Sequence, residues 1–308
     1  MKYIAIDIGG TQLRAAVYPE EGLTPVAHKT ILTHQGHEKP EELLLGLIAS
    51  VWPKDDRVKC IAAGVAGPLD PKTGIVYYAP NISGWVEFPL GSMIEQKFRT
   101  ETRLGNDANL AGLGEWKYGA GVGHHDLIYL TISTGIGGGI IINDRMLVGP
   151  HGIAAEVGHI TVWPDGPMCG CGKRGHLEAV SSGTGIANFV KRQLAAGTAS
   201  SLAGLGEALT AKDVTVAAQQ GDALAQQAFE QAGRFLGQAI ADMLLLFEPT
   251  IVVLGGGVTK AGDLLMNPLR KALKEGVFTP AYLKHFEIAL AKLGDQVGLV
   301  GALSLARS

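Results

Sequence analysis

Two copies of one pattern limit the folds open to this chain: a strand, a glycine-rich turn and a second strand. The first copy spans Tyr3 to Tyr18 and turns at Gly9-Gly10-Thr11, the first glycine turn. The second spans Asp126 to Ile142 and turns at residues 133–139, STGIGGG, the second glycine turn. Glycine lets backbone N–H groups approach an anion closely. Two such hairpins facing each other would hold a polyphosphate, although Gly-Gly also occurs in ordinary hairpins.

Polar side chains and a third glycine cluster extend this pattern. Asp7 ends the first strand with a carboxylate suited to aqueous Mg²⁺, and Thr11 adds a hydroxyl donor. Gly255-Gly256-Gly257 follows the apolar run Ile251 to Leu254, where bare backbone suits a flat base or ribose. Together these features predict a site for a phosphorylated nucleotide.

Asp107 lies where a short strand gives way to a helix, and its position leaves two roles open. The surrounding residues are LGNDAN, 104–109, followed by a helical pattern to Trp116. Asp at such a place most often caps the helix, and the local sequence favours this role. A carboxylate directed from a strand end into a cleft can instead act as a general base.

Four potential metal ligands occur within residues 154–178, AAEVGHITVWPDGPMCGCGKRGHLE, here called the metal loop. They are His159, Cys169, Cys171 and His176. Two thiolates in C-x-C are poorly placed for a disulfide but can converge on one ion, so the spacing predicts a tetrahedral structural Zn²⁺ site. The alternative is a glycine-rich surface loop with two reduced cysteines and two solvated histidines.

Composition narrows the class of protein. A chain of 308 residues with 46% hydrophobic residues can form two domains. The net charge of -3, the 6% aromatic content and the lack of a basic run argue against nucleic acid as a partner. The apolar tract 236–258 contains Asp242, Glu248 and Pro249, so it does not predict a membrane span. Three cysteines do not form a disulfide framework, and MKYIAIDIGG lacks signal-peptide features, so a cytoplasmic location is expected.

Six motifs occur together and in a fixed order. They are DIGGT at 7–11, NDAN at 106–109, STGIGGG at 133–139, EVGH at 156–159, CGCGKRGHLE at 169–178 and LGGGV at 254–258. This combination resembles the ROK family of bacterial sugar kinases, and especially its glucokinases, from residue 3 to about residue 303. Each motif alone is a weak signal, but the ordered set is specific.

The resemblance implies an α/β fold of the actin-like, hexokinase type, also called ribonuclease H-like, in which two domains close on a cleft. Residues 1–118 are expected to form a small α/β domain, with the C-terminal helix 296–308 packing back on it. Residues 119–295 are expected to form a larger α/β domain that carries the metal loop. A homodimer or homotetramer is also expected.

The resemblance further implies transfer of the ATP γ-phosphate to a hexose hydroxyl, with glucose favoured, Mg²⁺ as cofactor and Zn²⁺ as a structural ion. Asp107 then resembles the general base. Sugar contacts are implied for Gly67, Asn81, Asn106, Asp107, Glu156, His159 and Glu178. Nucleotide and Mg²⁺ contacts are implied for Asp7, Gly9, Gly10, Thr11, Thr134, Gly135, Gly256 and Gly257.

Two positions depart from the family pattern. His176 stands where the usual C-x-C-G-x-x-G-C-x-E has its third cysteine; histidine also binds zinc but reaches further than cysteine, so the loop must shift to accommodate it. Gln12 stands where many relatives carry lysine. Two alternative functions stay open. One is a kinase for another hexose or N-acetylhexosamine, such as fructose, mannose, allose, N-acetylglucosamine or N-acetylmannosamine. The other is a sugar-sensing protein without catalysis.

Overall fold

The mixed α/β architecture expected from the sequence is present in the computed structural model, which describes residues 1–34, 37–54 and 57–308. The chain forms two compact units. Unit 1 contains Met1–His124, Gly139–Ala155 and Ala291–Ser308, and unit 2 contains His125–Gly138 and Glu156–Leu290. Residues 139–155 thus belong to unit 1, whereas the sequence places them in the larger domain, 119–295. The expected domain boundaries after residues 118 and 295 stay a prediction.

Unit 1 begins with alternating strands and helices. The strands are β1 (Lys2–Ile8), β2 (Gln12–Tyr18), β3 (Ala27–Leu32), β4 (Val58–Val65), β5 (Leu69–Asp70), β6 (Ile75–Tyr78), β7 (Val86–Phe88) and β8 (Thr102–Asn106). The helices are α1 (Pro40–Val51), α2 (Leu90–Phe98) and α3 (Asp107–Tyr118). The main sheet has the order β3-β2-β1-β4-β8, and β5-β6-β7 form a smaller sheet.

Apolar residues cover both faces of the central strands of unit 1. β1 and β4 are parallel neighbours, as are β4 and β8, while β2 returns antiparallel to β1 through the first glycine turn. Ile4, Ile6 and Ile61 are fully buried in one core that also contains leucines of α1. Near-continuous apolar runs are typical of strands covered on both faces. The parallel strands therefore bring their carboxyl ends to one edge of the sheet.

Later elements complete the chain. The strands are β9 (Leu127–Ile132), β10 (Ile136–Ile142), β11 (Arg145–Met146), β12 (Ile251–Gly255) and β13 (Glu287–Leu290), in the sheet order β11-β10-β9-β12-β13. The helices are α4 (Leu177–Ser181), α5 (Gly183–Ala195), α6 (Ala211–Gln219), α7 (Ala223–Phe247), α8 (Asp263–Gly276) and α9 (Val297–Arg307).

Helix α7 is the centre of unit 2. The sequence predicts a helix from Ala223 to Phe247 that is apolar on more than one face, and the structure confirms it. Its buried residues include Phe229, Leu236 and Ile240, and it packs against α4, α5, α6 and α8. Among the residues that the structure describes, none of the helices combines the length and apolarity that crossing a bilayer requires.

One helix boundary predicted from the sequence is wrong. The pattern predicts a continuous helix from Thr259 to Lys274, but Gly257–Ala261 forms a 3-10 turn and α8 begins at Asp263. Gly262 separates the two with φ of 60°. A left-handed residue ends helical geometry, and glycine adopts it without steric cost.

Candidate active site

The carboxyl ends of β1, β4 and β8 form one edge of the main sheet of unit 1, here called the carboxyl edge. In the parallel register Asp7 pairs with Gly64, and Gly64 pairs with Gly105. One residue further along, Val65 pairs with Asn106, and Asp107 follows directly. The predicted Mg²⁺ residue and the predicted base thus lie on the same edge, two strands apart.

Asp107 is the first residue of α3 and is not its cap. Asn106 is the N-cap, because its Oδ1 accepts hydrogen bonds from the backbone N–H of Ala108 at 3.0 Å and of Asn109 at 3.1 Å. The capping role that the local sequence favours for Asp107 is therefore wrong by one residue. Asp107 Oδ1 also accepts from Ala108 N at 2.8 Å.

The other predicted sugar-binding positions of unit 1 contact one another or the first glycine turn. Asn106 Nδ2 donates to the carbonyl of Gly67 at 3.3 Å. Gly67 has φ of 126°, and a methyl group there would overlap the backbone of Tyr78. A methyl group at Gly10 would overlap the side chain of Asn81. The first glycine turn and the Asn81 loop are therefore in direct contact, which the sequence gives no means of predicting.

Asp7 forms an ion pair with Arg14, a residue that the sequence reasoning missed. Arg14 Nε donates to Asp7 Oδ2 at 2.9 Å, and its Nη2 contacts the same oxygen. Asp7 and Arg14 are directly paired across the hairpin of β1 and β2. The length of the glycine turn sets this register, so the pair could have been found from the sequence. Within the described part of the chain, Arg14 occupies one oxygen of Asp7 and leaves Oδ1 for another ligand.

The first glycine turn is fixed by Thr33, which follows β3. Gly9 N donates to the carbonyl of Gln12 at 3.0 Å and closes the turn. Thr33 is fully buried; its Oγ1 donates to Gly9 O at 2.6 Å and its N–H to Thr11 O at 3.0 Å. Because the carbonyls of Gly9 and Thr11 are held from one side, the turn has a defined backbone geometry before any ligand binds.

Residues 133–138 of the second glycine turn lie in unit 2, beside a cavity of about 720 Å³. Gly183 N donates to Ser133 O at 2.7 Å, and Thr184 N donates to Thr134 O at 3.3 Å, so the N-terminus of α5 fixes the turn. Gly256 has φ of 89° and packs so tightly on Ile132 that a side chain would overlap its backbone. The cavity lining includes Ser133, Thr134, Gly183, Thr184, Lys191, Lys212, Gly257 and Lys260.

This cavity is lined by residues of two motifs that the sequence assigns to the nucleotide. They are Thr134 of the second glycine turn and Gly257 of the third glycine cluster. The three lysines in its lining were missed, since single lysines on separate helices and turns carry no local signal. Lys191 is paired with Glu207 at 3.0 Å. A concave site lined by lysines and bare backbone suits an anionic ligand with a flat group.

The four predicted zinc ligands of the metal loop converge. One donor atom from each of His159, Cys169, Cys171 and His176 lies within 4.8 Å of the others. Cys169 Sγ is 3.9 Å from His159 Nδ1, and Cys171 Sγ is 3.2 Å from His176 Nδ1. Backbone bonds from Cys169 N to Lys173 O at 2.8 Å and from Gly172 N to Cys169 O at 2.9 Å form the turn between the cysteines. The donor set and its spacing fit a tetrahedral zinc ion.

Burial shifts the pKa of three groups in this region. It raises the pKa of the Cys169 thiol to about 11 and lowers the pKa of His176. It also raises the pKa of Glu156, and the neighbouring Glu178 charge adds to that increase. A neutral histidine is the form that binds metal, whereas the protonated thiol must release its proton on metal binding.

Glu178 connects the metal loop to the second glycine turn. Its Oε2 accepts the N–H of Ile136 at 2.9 Å, and its Oε1 is 3.5 Å from Cys169 Sγ. Glu156 and His159 bound a 3-10 segment in which His159 N donates to Glu156 O at 3.0 Å. Of the three unit 2 residues assigned to the sugar, His159 is therefore itself a predicted metal ligand, Glu156 lies in the same short segment, and Glu178 contacts Cys169.

The structure thus combines a mixed α/β fold, two glycine-rich turns, a cavity beside the second turn and four converging Cys and His side chains. The sequence pattern described as ROK family matches residues 3–308. A glucokinase from Streptomyces coelicolor is 36% identical over 312 residues, covering 99% of this chain and 97% of that protein. An N-acetylmannosamine kinase from Shigella flexneri is 32% identical over 308 residues, covering 100% and 99%.

A solved structure is similar throughout. The ROK family glucokinase from Streptomyces griseus, in complex with glucose and AMPPNP, matches with a TM-score of 0.80 and 36% identity, covering 100% of this chain and 99% of that chain. The chain belongs to the ROK family. The predicted actin-like α/β fold class is confirmed.

Proposed function

We propose that this protein is an ATP-dependent hexose kinase that converts glucose to glucose 6-phosphate. The observation that carries the proposal is the carboxyl edge, where the parallel register of β1, β4 and β8 brings Asp7 and the first glycine turn to the same edge of the sheet as Asp107. The glucokinase relatives and the solved glucokinase with glucose and AMPPNP support it. Phosphoryl transfer requires positioning, charge neutralisation and one base, and these residues are suited to those tasks.

In the proposed reaction Asp107 is the general base. The sugar 6-hydroxyl oxygen bonds to the γ-phosphorus, the bond from that phosphorus to the bridging oxygen breaks, and ADP leaves with the electron pair. Asp107 takes the hydroxyl proton. The position of Asp107 supports this role, because it is the first residue after β8, at the carboxyl edge.

Sugar binding is assigned to Gly67, Asn81 and Asn106 in unit 1 and to Glu156, His159 and Glu178 in unit 2. Each hydroxyl removed from water needs a partner, since an unsatisfied buried group costs about 1 to 3 kcal/mol. The Oδ1 and Nδ2 atoms of Asn106 already hold α3 and Gly67. Its proposed sugar contact therefore uses a second lone pair or proton of the same amide.

Nucleotide binding is assigned to both glycine turns and to the third glycine cluster. Gly9, Gly10, Thr11, Thr134 and Gly135 would contact phosphates, and Gly256 and Gly257 would contact adenosine. Asp7 would hold Mg²⁺ through Oδ1, because Arg14 already binds Oδ2. When bound, Mg²⁺ neutralises charge on the phosphates. The cavity beside Thr134 and Gly257 supports the assignment for the nucleotide.

Zinc is assigned a structural role. His159, Cys169, Cys171 and His176 would hold the ion, and the convergence of their donor atoms supports all four, including His176. His159 Nδ1 points toward the cysteines, so its Nε2 remains to contact a sugar hydroxyl. Outer contacts of metal-bound histidines fix their ring orientation. The ion would thus orient His159 and the chain leading to Glu178.

A second substrate class is favoured by a specific observation. The N-acetylmannosamine kinase relative matches the whole chain at 32% identity. An N-acetylhexosamine is therefore the second candidate, followed by other hexoses such as fructose, mannose and allose. A sugar sensor without catalysis is disfavoured because Asp7, Asp107 and both glycine turns are present. A homodimer or homotetramer and a cytoplasmic location remain predictions.

A coupled assay of ADP release tests the proposal. Purified protein would be tested with ATP and Mg²⁺ on glucose, mannose, fructose, allose, N-acetylglucosamine and N-acetylmannosamine, and with polyphosphate in place of ATP. We expect the highest kcat/KM with ATP and glucose. A higher kcat/KM for an N-acetylhexosamine would assign the second candidate. Saturable sugar binding without turnover on any sugar would establish a sensor and refute the kinase assignment.

A further inference from the structure

Glu115 is a fully buried carboxylate on α3, the helix that begins with Asp107. Its Oε2 accepts the N–H of Ala120 at 2.8 Å and of Lys292 at 3.1 Å, and its Oε1 accepts the N–H of Leu293 at 2.8 Å. One backbone donor just after α3 and two from a segment distant in sequence therefore share one side chain. No role in the proposed reaction accounts for it, because none of these contacts involves a residue assigned to a substrate.

The surroundings of Glu115 are closely packed. A side chain at Gly119 would overlap the Glu115 carboxylate, and the backbone atoms of Gly301 on α9 approach to about 3 Å of where a methyl group at Gly114 would lie. A methyl group at Gly301 would overlap the carbonyl of Leu110. Helices α3 and α9 thus meet backbone to backbone. The segment that Glu115 holds leads directly into α9.

That segment, residues 292–298, packs against Asp7 and its partner Arg14. The carbonyl of Asp295 accepts a hydrogen bond from Arg14 Nη1 at 2.6 Å, and the same guanidinium binds Asp7. At Gly298 a methyl group would lie 2.7 Å from Asp7 Oδ2. One short run of chain is therefore fixed by the base-bearing helix at its beginning and packs on the Asp7 carboxylate at its end.

We propose that Glu115 is a positioning residue for phosphoryl transfer, which holds segment 292–298 so that Asp7 and the helix of Asp107 keep one relative placement. The inference rests on the proposed function. A carboxylate is suited to this because it offers acceptor lone pairs on both oxygens for three donors. A glutamine has one acceptor oxygen, and its NH₂ group would face a backbone N–H donor from which it cannot accept a hydrogen bond.

The main test is Glu115→Gln, assayed with ATP, Mg²⁺ and the best hexose. We expect kcat to fall about tenfold, since small displacements of reacting groups reduce rates strongly. The Mg²⁺ concentration for half-maximal rate should rise, whereas the sugar KM should change less than about threefold. A matched control is Asp222→Asn in unit 2, which also weakens a carboxylate that accepts several bonds. It should lower Tm similarly and leave kcat unchanged.

Arg14→Lys tests the other end of the segment, because lysine keeps the charge but cannot fork between Asp7 and Asp295. It should reproduce the Mg²⁺ effect, and the double variant should be no worse than the more impaired single variant. Additive effects, or a Glu115→Gln variant that differs from Asp222→Asn in neither kcat nor Mg²⁺ dependence, would overturn the inference.

Hydrogen exchange covers the case in which Glu115→Gln does not fold. Arg14→Lys should then speed amide exchange in residues 292–298 relative to the native chain, and unchanged exchange would refute the link. A native chain that turns over no sugar would instead refute the proposed function. The two failures are therefore separate results.

Discussion

The carboxyl edge of unit 1 and the metal loop of unit 2 place functional side chains in different ways. At the carboxyl edge, strand register fixes Asp7 and Asn106, and backbone hydrogen bonds of adjacent strands hold that register. In the metal loop, four side chains converge from a segment with only isolated bridges, Thr161 with His176 and Met168 with Arg174. The ends of buried central strands keep their conformation without a ligand, whereas loops with few backbone hydrogen bonds are usually stabilised by the ion that they bind.

This difference predicts which of the two regions needs a bound ion to keep its conformation. Unit 1 should hold its carboxylates correctly with or without metal, because buried apolar strands support them. The metal loop should keep its conformation only while its ligands are joined by an ion. Changes at the edge should therefore affect chemistry, and changes in the loop should affect sugar affinity and local order.

The largest expected effect is at the carboxyl edge. Asp107→Asn should reduce kcat by about 10³-fold or more, because general base catalysis is removed. Sugar Kd should stay within about tenfold, and Tm should change little, because Asn106 caps the helix. Turnover assays, sugar titration and thermal unfolding check these outcomes. Asp263→Asn makes the same change at the first residue of α8 and should preserve activity. Full turnover of Asp107→Asn would move the base elsewhere.

Metal removal should produce the next largest effect, confined to unit 2. Purified protein should contain about one zinc ion per chain. Removing it with a chelator, or by Cys171→Ser, should weaken sugar binding about 10- to 100-fold and speed amide exchange in residues 160–178. Exchange in β1, β4 and β8 should not change. Metal-free protein that keeps native sugar affinity and stability would show that the metal loop does not depend on an ion.

Cys60→Ala is the matched control for the thiol. Cys60 is buried in β4, where the apolar surroundings raise its pKa to about 11, and it lies outside the metal loop. Its replacement should leave the zinc content at about one ion per chain. Loss of zinc from this variant would place a ligand in unit 1 and contradict the assigned site.

Two glycine substitutions compare the rigidity of the first and second glycine turns. An added methyl group at Gly10 would overlap Asn81 Cβ, which the backbone fixes, whereas at Gly135 it would overlap the far end of the Glu178 side chain. Gly10→Ala should therefore lower stability by about 1 to 3 kcal/mol. Gly135→Ala should cost less, because Glu178 can rotate, but should weaken sugar binding. Gly46→Ala, in open space on α1, should do neither. Equal stability losses would show that both turns are equally rigid.

Much of the carboxyl edge could be predicted from the sequence. Strand, turn and strand predict the hairpin, and its turn length pairs Asp7 with Arg14. Helix α7 could be predicted to the residue because Asp222 caps one end and Pro249 follows the other. The sequence also indicates the four residues proposed as zinc ligands, because C-x-C and two histidines lie within eighteen positions.

What could not be predicted depends on contacts between distant segments. Glu115 binds Lys292 and Leu293, and Thr33 binds the first glycine turn. No local pattern marks such partners, because the side chains bond to backbone groups that every residue carries. The local sequence assigns the helix cap to Asp107 for a related reason. Asn and Asp are both good N-caps, and only the residue at which β8 ends shows that Asn106 is the cap.

The smallest expected effect concerns two helix starts. The cap of α3 is the neutral Asn106, whereas the cap of α7 is Asp222, which accepts bonds from Ser200, Ser201 and Ala225. Partial burial raises the pKa of Asp222, but hydrogen bonds from Ala225, Ser201 and Ser200 outweigh this and hold it well below its usual range.

A depressed folded pKa adds stability that is present above the unfolded pKa of about 3.9 and is lost as pH falls below it. Asp222→Asn should therefore lower Tm by about 2 °C at pH 7, and the difference from the native chain should shrink below about pH 4. Thermal unfolding between pH 7 and pH 3 measures this. A difference that stays constant with pH would mean that the ionised carboxylate contributes nothing. The α7 cap would then act as the neutral α3 cap does.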